Sequence, residues 1–288
     1  MYLQPHSKEI LLLSYRHSYH AGNHADVLKH IVLVEILEHL TKKNKPFDYI
    51  DTHAGAGLYN LQNTHATKLK EYEGGIAKLK PAEWPELQKY LSIVEQYNPH
   101  DALQYYPGSP LFALNYMRGK DRSWLYELHP NDYLLLENNT AKMKSVRVMQ
   151  TDGFKGLLSL LPPASKRALV LIDPSYEIKT DYQLVVDTLI SAYKKFPTAV
   201  YALWYPVVDR KQIDALQRGF IRSGMKNVQQ YELAIATDQY GTGMSASGMI
   251  VINPPWTLMD KLQLVLPKLV EQLGGEGAFF KNDQLVGE

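Results

Sequence analysis

The chain has 288 residues, 31 Lys and Arg against 30 Asp and Glu, a formal net charge of +1, 45% hydrophobic residues and no cysteine. That length and apolar content exclude a disordered, collagen-like or disulfide-stapled chain and suit one large α/β domain or two small ones. Without cysteine there is no thiolate nucleophile, iron–sulfur cluster or cysteine zinc site, which fits a reducing cytoplasm, and the apolar runs Ile10 to Leu13 and Ala168 to Ile172 fall far short of the roughly 20 residues of a membrane helix. Met1 to Leu13 has neither the apolar stretch nor the cleavage site of a secretory signal. The near-neutral total conceals a local excess: Tyr15 to His30 carries Arg16, Lys29, His17, His20, His24 and His30 against Asp26. Tyr15 and Tyr19 beside Arg16 combine stacking with phosphate contact, which suits an unpaired base held out of its helix.

Val27, Leu28, Ile31, Val34 and Leu37 recur at helical spacing, so a helix is predicted over His24 to Lys42, with Asn23 as N-cap and Asn44 as its stop. Phe47 to Ile50 follows as a short apolar strand that ends on Asp51 and runs into Thr52-His53-Ala54-Gly55-Ala56-Gly57, the strand and glycine turn of a nucleotide-binding unit. From Leu58 to about Tyr105 the pattern changes to amphipathic helix broken by Pro81, Pro85 and Pro99, a small helical insertion. Ser109 reads as an N-cap followed by Pro110. Strands are then predicted over Trp124 to Leu128, Val146 to Gln150, Ala168 to Ile172 and Ala199 to Trp204. They alternate with helices over Asp132 to Lys142, Phe154 to Leu161, Tyr182 to Lys195 and Lys211 to Ser223. Two last strands, Gln229 to Ala236 and Met249 to Ile252, form a hairpin across Thr237 to Gly248. Together these elements describe a doubly wound α/β sheet with an antiparallel end, whose ligands bind beyond the carboxyl ends of the parallel strands.

Four predicted strand ends carry acids: Asp51, Glu127, Asp152 and Asp173. An acid at a strand end is also an ordinary turn former or helix cap. Four together suit a nucleoside: Asp51 orients the glycine loop, Glu127 accepts both ribose hydroxyls, and Asp152 with Gly153 reads the adenine edge. The loop is not G-x-G-x-x-G and no P-loop is present, so a phosphate-free nucleoside cofactor, S-adenosylmethionine, fits better than a dinucleotide.

Asp173-Pro174-Ser175-Tyr176 then points to the chemistry. The lone pair of an adenine amine is delocalised into the ring. A carboxylate and a backbone carbonyl that accept its two N–H protons, here Asp173 and Pro174, turn that lone pair toward an electrophilic methyl group. Tyr176 can stack on the base. Asn253-Pro254-Pro255-Trp256 is a rival of similar form, but it follows the last strand at the sheet's far edge, where a stiff exit into a final helix explains it.

Ser14-Tyr15-Arg16-His17, His20-Ala21-Gly22-Asn23-His24-Ala25-Asp26-Val27-Leu28-Lys29-His30, Asp51 to Gly57, Tyr106-Pro107-Gly108-Ser109-Pro110, Glu127-Leu128-His129-Pro130, Asp152-Gly153-Phe154, Asp173 to Glu177 and Ala202 to Val207 resemble motifs of the RlmJ-type 23S ribosomal RNA adenine-N6 methyltransferases. The likeness runs from about Leu13 to near Leu266, with Ser175 in place of the second proline of D-P-P-Y. It implies a Rossmann-like class I methyltransferase, formed by 1–57 and 106–288 with a mobile tail over 1–22 and a helical insertion over 58–105, acting as a cytoplasmic monomer on ribosomal RNA that is free of protein or at an early stage of assembly. By motif match His30, His53, Ser109, Glu127, Asp152, Gly153 and Asp173 bind S-adenosylmethionine, and Asp173 is also the catalytic acceptor. Tyr15 contacts the RNA, and Arg16 and His17 belong to the same tail. An older label in the family, use of external DNA, leaves two alternatives: a DNA adenine-N6 methyltransferase and a noncatalytic nucleic-acid-binding protein.

The histidines do not point to a metal. H-E-x-x-H is absent, no cysteine is available, and no carboxylate ligand is evidently placed beside them. Most tyrosines, such as Tyr90, Tyr97, Tyr116 and Tyr193, sit among apolar neighbours as core residues, and Lys68, Lys70, Lys78 and Lys80 are diluted by Glu71 and Glu73.

Overall fold

The computed structural model describes residues 19–63, 69–100, 102–176, 180–238 and 243–288; Tyr15, Arg16, His17 and Lys68 lie outside them. The described chain begins with helix α1 (His24–Thr41), in which Asn23 accepts from the backbone N–H groups of Ala25 and Asp26 as an N-cap should. Nearly every face of α1 is buried, because it lies against the sheet on one side and against helices on the other. Strand β1 (Asp48–Asp51) follows, then β2 (Leu58–Asn60), helix α2 (Gln88–Gln96) and β3 (Tyr105–Pro107). Next come α3 (Ser109–Leu114), β4 (Arg122–Tyr126), α4 (Pro130–Thr140), β5 (Val146–Met149), α5 (Gly153–Leu160) and β6 (Ala168–Ile172). The chain finishes with α6 (Asp181–Lys195), β7 (Val200–Val207), α7 (Arg210–Arg222), β8 (Val228–Ala234), β9 (Ala246–Ile252), α8 (Leu258–Leu273) and β10 (Phe279–Val286).

Eight strands form one sheet in the order β10-β8-β9-β7-β6-β1-β4-β5. The five from β7 to β5 are parallel, and β9 enters antiparallel between β7 and β8. Central β6 is buried throughout, as its unbroken apolar run requires. Both faces carry a core: α1, α3 and α8 cover one, and α5, α6 and α7 the other.

Four details depart from expectation. Among the described residues the insertion carries four short 3₁₀ turns, two of them opened by Pro81 and Pro85, together with helix α2. Its two ends pair antiparallel as β2 and β3, Leu58 opposite Pro107, so the excursion leaves and rejoins the domain at one place. Gly108, not Ser109, occupies the N-cap of α3; the Ser109 hydroxyl is turned instead to Asp51. Finally, β10 pairs with β8 through a stretch whose polar Lys281 to Gln284 conceals a strand at the sheet's edge.

Candidate active site

Because β1, β4, β5 and β6 are parallel neighbours, their carboxyl ends lie side by side, and Asp51, Glu127, Asp152 and Asp173 gather there. Asp51 is fully buried. Its Oδ2 accepts from the Tyr49 hydroxyl at 2.7 Å and the Ser109 hydroxyl at 2.7 Å, and its Oδ1 from the His53 backbone N–H at 3.2 Å. Burial pushes its carboxyl up to about 6 against the pull of the two hydroxyl donors. Asp51 therefore fixes the turn after β1 and ties it to Ser109.

Glu127 holds the glycine turn from the other side, its Oε2 accepting from Gly55 N–H at 2.8 Å and its Oε1 from His129 N–H at 2.7 Å. Burial pushes this carboxyl up to about 7, with the two backbone donors opposing. Each oxygen keeps a lone pair for a further donor. Asp152 caps α5 through Oδ1, which accepts from Phe154 and Lys155 N–H, so Oδ2 is the oxygen left for a ligand. Gly55 has φ +61°, and a Cβ on Gly153 would collide with the Thr52 carbonyl oxygen. Only glycine lets the turn and the start of α5 approach this closely.

Glu127, Asp152, Asp173, Gly55 and Gly153 line a cavity of about 370 Å³, together with Lys29, His30, His53 and Ser109, while Asp51 lies behind its wall. His30 is oriented by Tyr106, its Nδ1 2.7 Å from the phenol oxygen, and packs against Phe112. His53 has Nδ1 2.8 Å from the Thr52 hydroxyl and meets Phe154 edge-on; burial lowers its pKa to about 4, so it is neutral near pH 7.

A second cavity, of about 920 Å³, opens on the other side of Asp173. Its walls include His24, Glu71, Gly74, Tyr176, Tyr182 and Trp204. Tyr176, at φ +51°, donates its hydroxyl to the Trp204 carbonyl at 2.7 Å, and its ring lies 4.5 Å from that of Tyr182. Three residues, Lys29, Asp173 and Ser175, line both cavities. Lys29 is almost fully buried and donates to Asp173 Oδ2 at 2.6 Å and to Asp26 Oδ1 at 2.7 Å. Burial works against its charge, but the two carboxylates more than offset this and hold the ammonium ion firmly protonated.

All the expected residues that are described, His30, His53, Ser109, Glu127, Asp152, Gly153, Asp173 and Pro174, line the smaller cavity, and Tyr176 lines the larger. Asn253 is remote from both. Since β9 runs antiparallel, Asn253 leaves at the opposite end of the sheet, where its amide donates to the Pro197 and Ala199 carbonyls just before β7. Among the described residues no three His, Asp or Glu side chains gather to hold a metal, and no helix is long and apolar enough to cross a membrane. Lys29 carries no role in the sequence reading. The available signal was its i,i+3 spacing from Asp26, on the side of the helix opposite Val27, Leu28 and Ile31.

The family model described as "Ribosomal RNA large subunit methyltransferase D, RlmJ" matches residues 44–284. The chain is 51% identical over 264 residues to "Ribosomal RNA large subunit methyltransferase J" of Escherichia coli (strain K12), covering 91% of this chain and 94% of that protein. To the protein of the same name in Haemophilus influenzae (strain ATCC 51907 / DSM 11121 / KW20 / Rd) it is 47% identical over 269 residues, covering 92% and 96%. A solved structure of a Legionella pneumophila str. Philadelphia 1 protein matches with a TM-score of 0.84 at 38% identity, over 92% of this chain and 98% of that one.

Proposed function

Because the chain belongs to the RlmJ family of ribosomal RNA large subunit methyltransferases, we propose that it transfers a methyl group from S-adenosylmethionine to N6 of one adenine in 23S ribosomal RNA. The observation that carries this reading is the junction of two cavities at Lys29, Asp173 and Ser175, one suited to the cofactor and one to an extruded base.

The smaller cavity fits S-adenosylmethionine by its acceptor set and by its glycine-only approach at Gly55 and Gly153. Glu127 would take the ribose hydroxyls through its remaining lone pairs, Asp152 and Gly153 the adenine edge, and His30, His53, Ser109 and Asp173 the rest of the molecule. The cofactor supplies an electrophilic methyl group on a sulfonium centre, and the acidic wall suits that positive charge. On the substrate side Lys29 holds Asp173 Oδ2, which leaves Oδ1 free for one N–H of the target amine. The Pro174 carbonyl accepts the other. Tyr176, tethered by its hydroxyl, presents its ring for stacking on the base, a contact worth roughly 1–3 kcal/mol.

Tyr15, Arg16 and His17 contact the RNA in this reading. Residues 1–57 and 106–288 form the methyltransferase domain, with 1–22 as its substrate-contacting tail. Residues 58–105 form an accessory subdomain that walls the base cavity through Lys70, Glu71 and Gly74. The protein acts as a monomer in the cytoplasm, on RNA free of protein or in early assembly. Incubation with labelled S-adenosylmethionine and unmodified 23S RNA, 16S RNA or DNA tests the assignment. Label mapped to one adenine N6 of 23S RNA is expected; label confined to DNA, or none despite cofactor binding, overturns it.

A further inference from the structure

His24 opens α1 and forms part of the wall of the larger cavity, beside Asp26 and Lys29. It is only 7% exposed, yet its Nε2 is buried without a hydrogen-bond partner among the described residues. A buried polar atom normally has a partner, so a vacant one in a side chain that lines a cavity points to a ligand. Burial lowers the pKa of the ring to about 4 although Glu71 and Asp26 pull the other way, so the imidazole is neutral near pH 7 and carries one N–H and one lone pair.

The groups around His24 are already engaged. Glu71 accepts from the Asn23 amide at 2.9 Å and lies 3.0 Å from His20 Nδ1, while Asp26 takes Gly22 N–H and Lys29. None of them is paired with Nε2. If the target amine is held by Asp173 and Pro174, the ring atoms flanking the amine-bearing carbon of adenine are N1 and C5, with N7 one bond beyond C5. N1 and N7 are both pure acceptors. We propose that His24 is a specificity-determining residue whose Nε2–H donates to one of these two ring nitrogens of the extruded adenine. A site built to hydrogen-bond a substrate discriminates sharply against an analogue that lacks the group, because its own buried atom is then left unpaired. This role rests on the adenine-N6 reading above.

The test uses the full chain and an RNA whose methylated adenosine has been mapped, with that nucleotide replaced in turn by 1-deazaadenosine and 7-deazaadenosine. The unaltered protein is expected to lose roughly tenfold or more in kcat/KM on one of the two analogues. His24→Phe is expected to lose a similar factor on adenosine and to show no further loss on that analogue, while its affinity for S-adenosylmethionine is unchanged. His24→Gln, which restores a donor, recovers part of the rate. If His24→Phe discriminates between the analogues as the unaltered protein does, or methylates adenosine at its full rate, the proposal is overturned; so it is if the unaltered protein discriminates against neither. Should His24→Phe fail to fold by circular dichroism, His24→Gln decides on the same analogues. Absence of N6 methylation by the unaltered protein on ordinary adenosine is a different result and counts against the underlying reading.

Discussion

Lys29 Nζ lies 2.6 Å from Asp173 Oδ2, joining the first described helix to the end of the central strand across 144 residues of sequence. With Asp26 on its other side, this ammonium ion is the shared counter-charge of two carboxylates at the boundary between the two cavities. Replacement by Met leaves both acids without it. Lys29→Met is expected to destabilise the protein by about 3–5 kcal/mol, read by urea denaturation, and to reduce methyl transfer at least roughly 100-fold. Unchanged stability and turnover would show that the pair has no role in either.

Asp173→Ala removes the acceptor proposed for the target amine and leaves Glu127, Asp152 and Gly153 in place. Methyl transfer should fall below detection, while calorimetry still registers binding of S-adenosylmethionine at reduced affinity. Retained turnover would remove Asp173 from the mechanism.

Glu127, pushed up to about 7, must be ionised if it is to accept both ribose hydroxyls as proposed. Cofactor affinity is therefore expected to weaken as pH falls from about 8 to about 6, by up to roughly tenfold per unit below the carboxyl's own pKa. Glu127→Gln should bind more weakly and with a flat profile. Stability follows a different course. Raised carboxyls at Glu127 and Asp51 make the native state take up protons, so their contribution falls as pH rises through about 4 to 7. His24 and His53, lowered to about 4, act in the opposite direction, since the unfolded chain binds their protons first. The two pairs offset each other, and the melting temperature of the ligand-free protein should change little between about pH 5 and pH 6.5. A steep acid loss of stability there would contradict the balance.

Gly75 is where the insertion meets the entry to α1. A Cβ there would collide with the Gly22 carbonyl oxygen and the backbone of Asn23, and the Ile76 N–H to Gly22 carbonyl bond of 2.8 Å lies next to it. Gly75→Ala should displace this part of the insertion, lowering transfer to RNA through KM while leaving S-adenosylmethionine affinity intact. Equal losses in cofactor and RNA binding would mean that the insertion supports the whole fold, not the larger cavity alone.

Much of this architecture is legible in the chain because local signals agree with it. Ala168 to Ile172 is apolar without interruption and is the fully buried central strand; Asn23 caps α1 where a helix start is expected. Less of β9 is visible, since Ala246, Ser247 and Gly248 do not resemble a strand. They are small because β9 is buried between β7 and β8, and a Cβ on Gly248 would strike the Tyr205 ring. The strand-end acids were also readable, but their present hydrogen bonds were not. Asp152 serves as a helix cap as well, and the Lys29–Asp173 pair has no local signature at all. Strand direction matters in the same way. Asn253-Pro254-Pro255-Trp256 has the letters of an amine-binding turn, but β9 carries it to the opposite end of the sheet.

The shared wall of Lys29, Asp173 and Ser175 also defines an opportunity for inhibition. Cavities of about 370 and 920 Å³ meet at that boundary, so a single compound joining a nucleoside amino-acid half to a purine half through a short tether would occupy both. Its second half would bind at the millimolar effective concentration typical of short tethers. Selectivity would come from the tether, which must pass the buried ammonium and carboxylate that separate the halves.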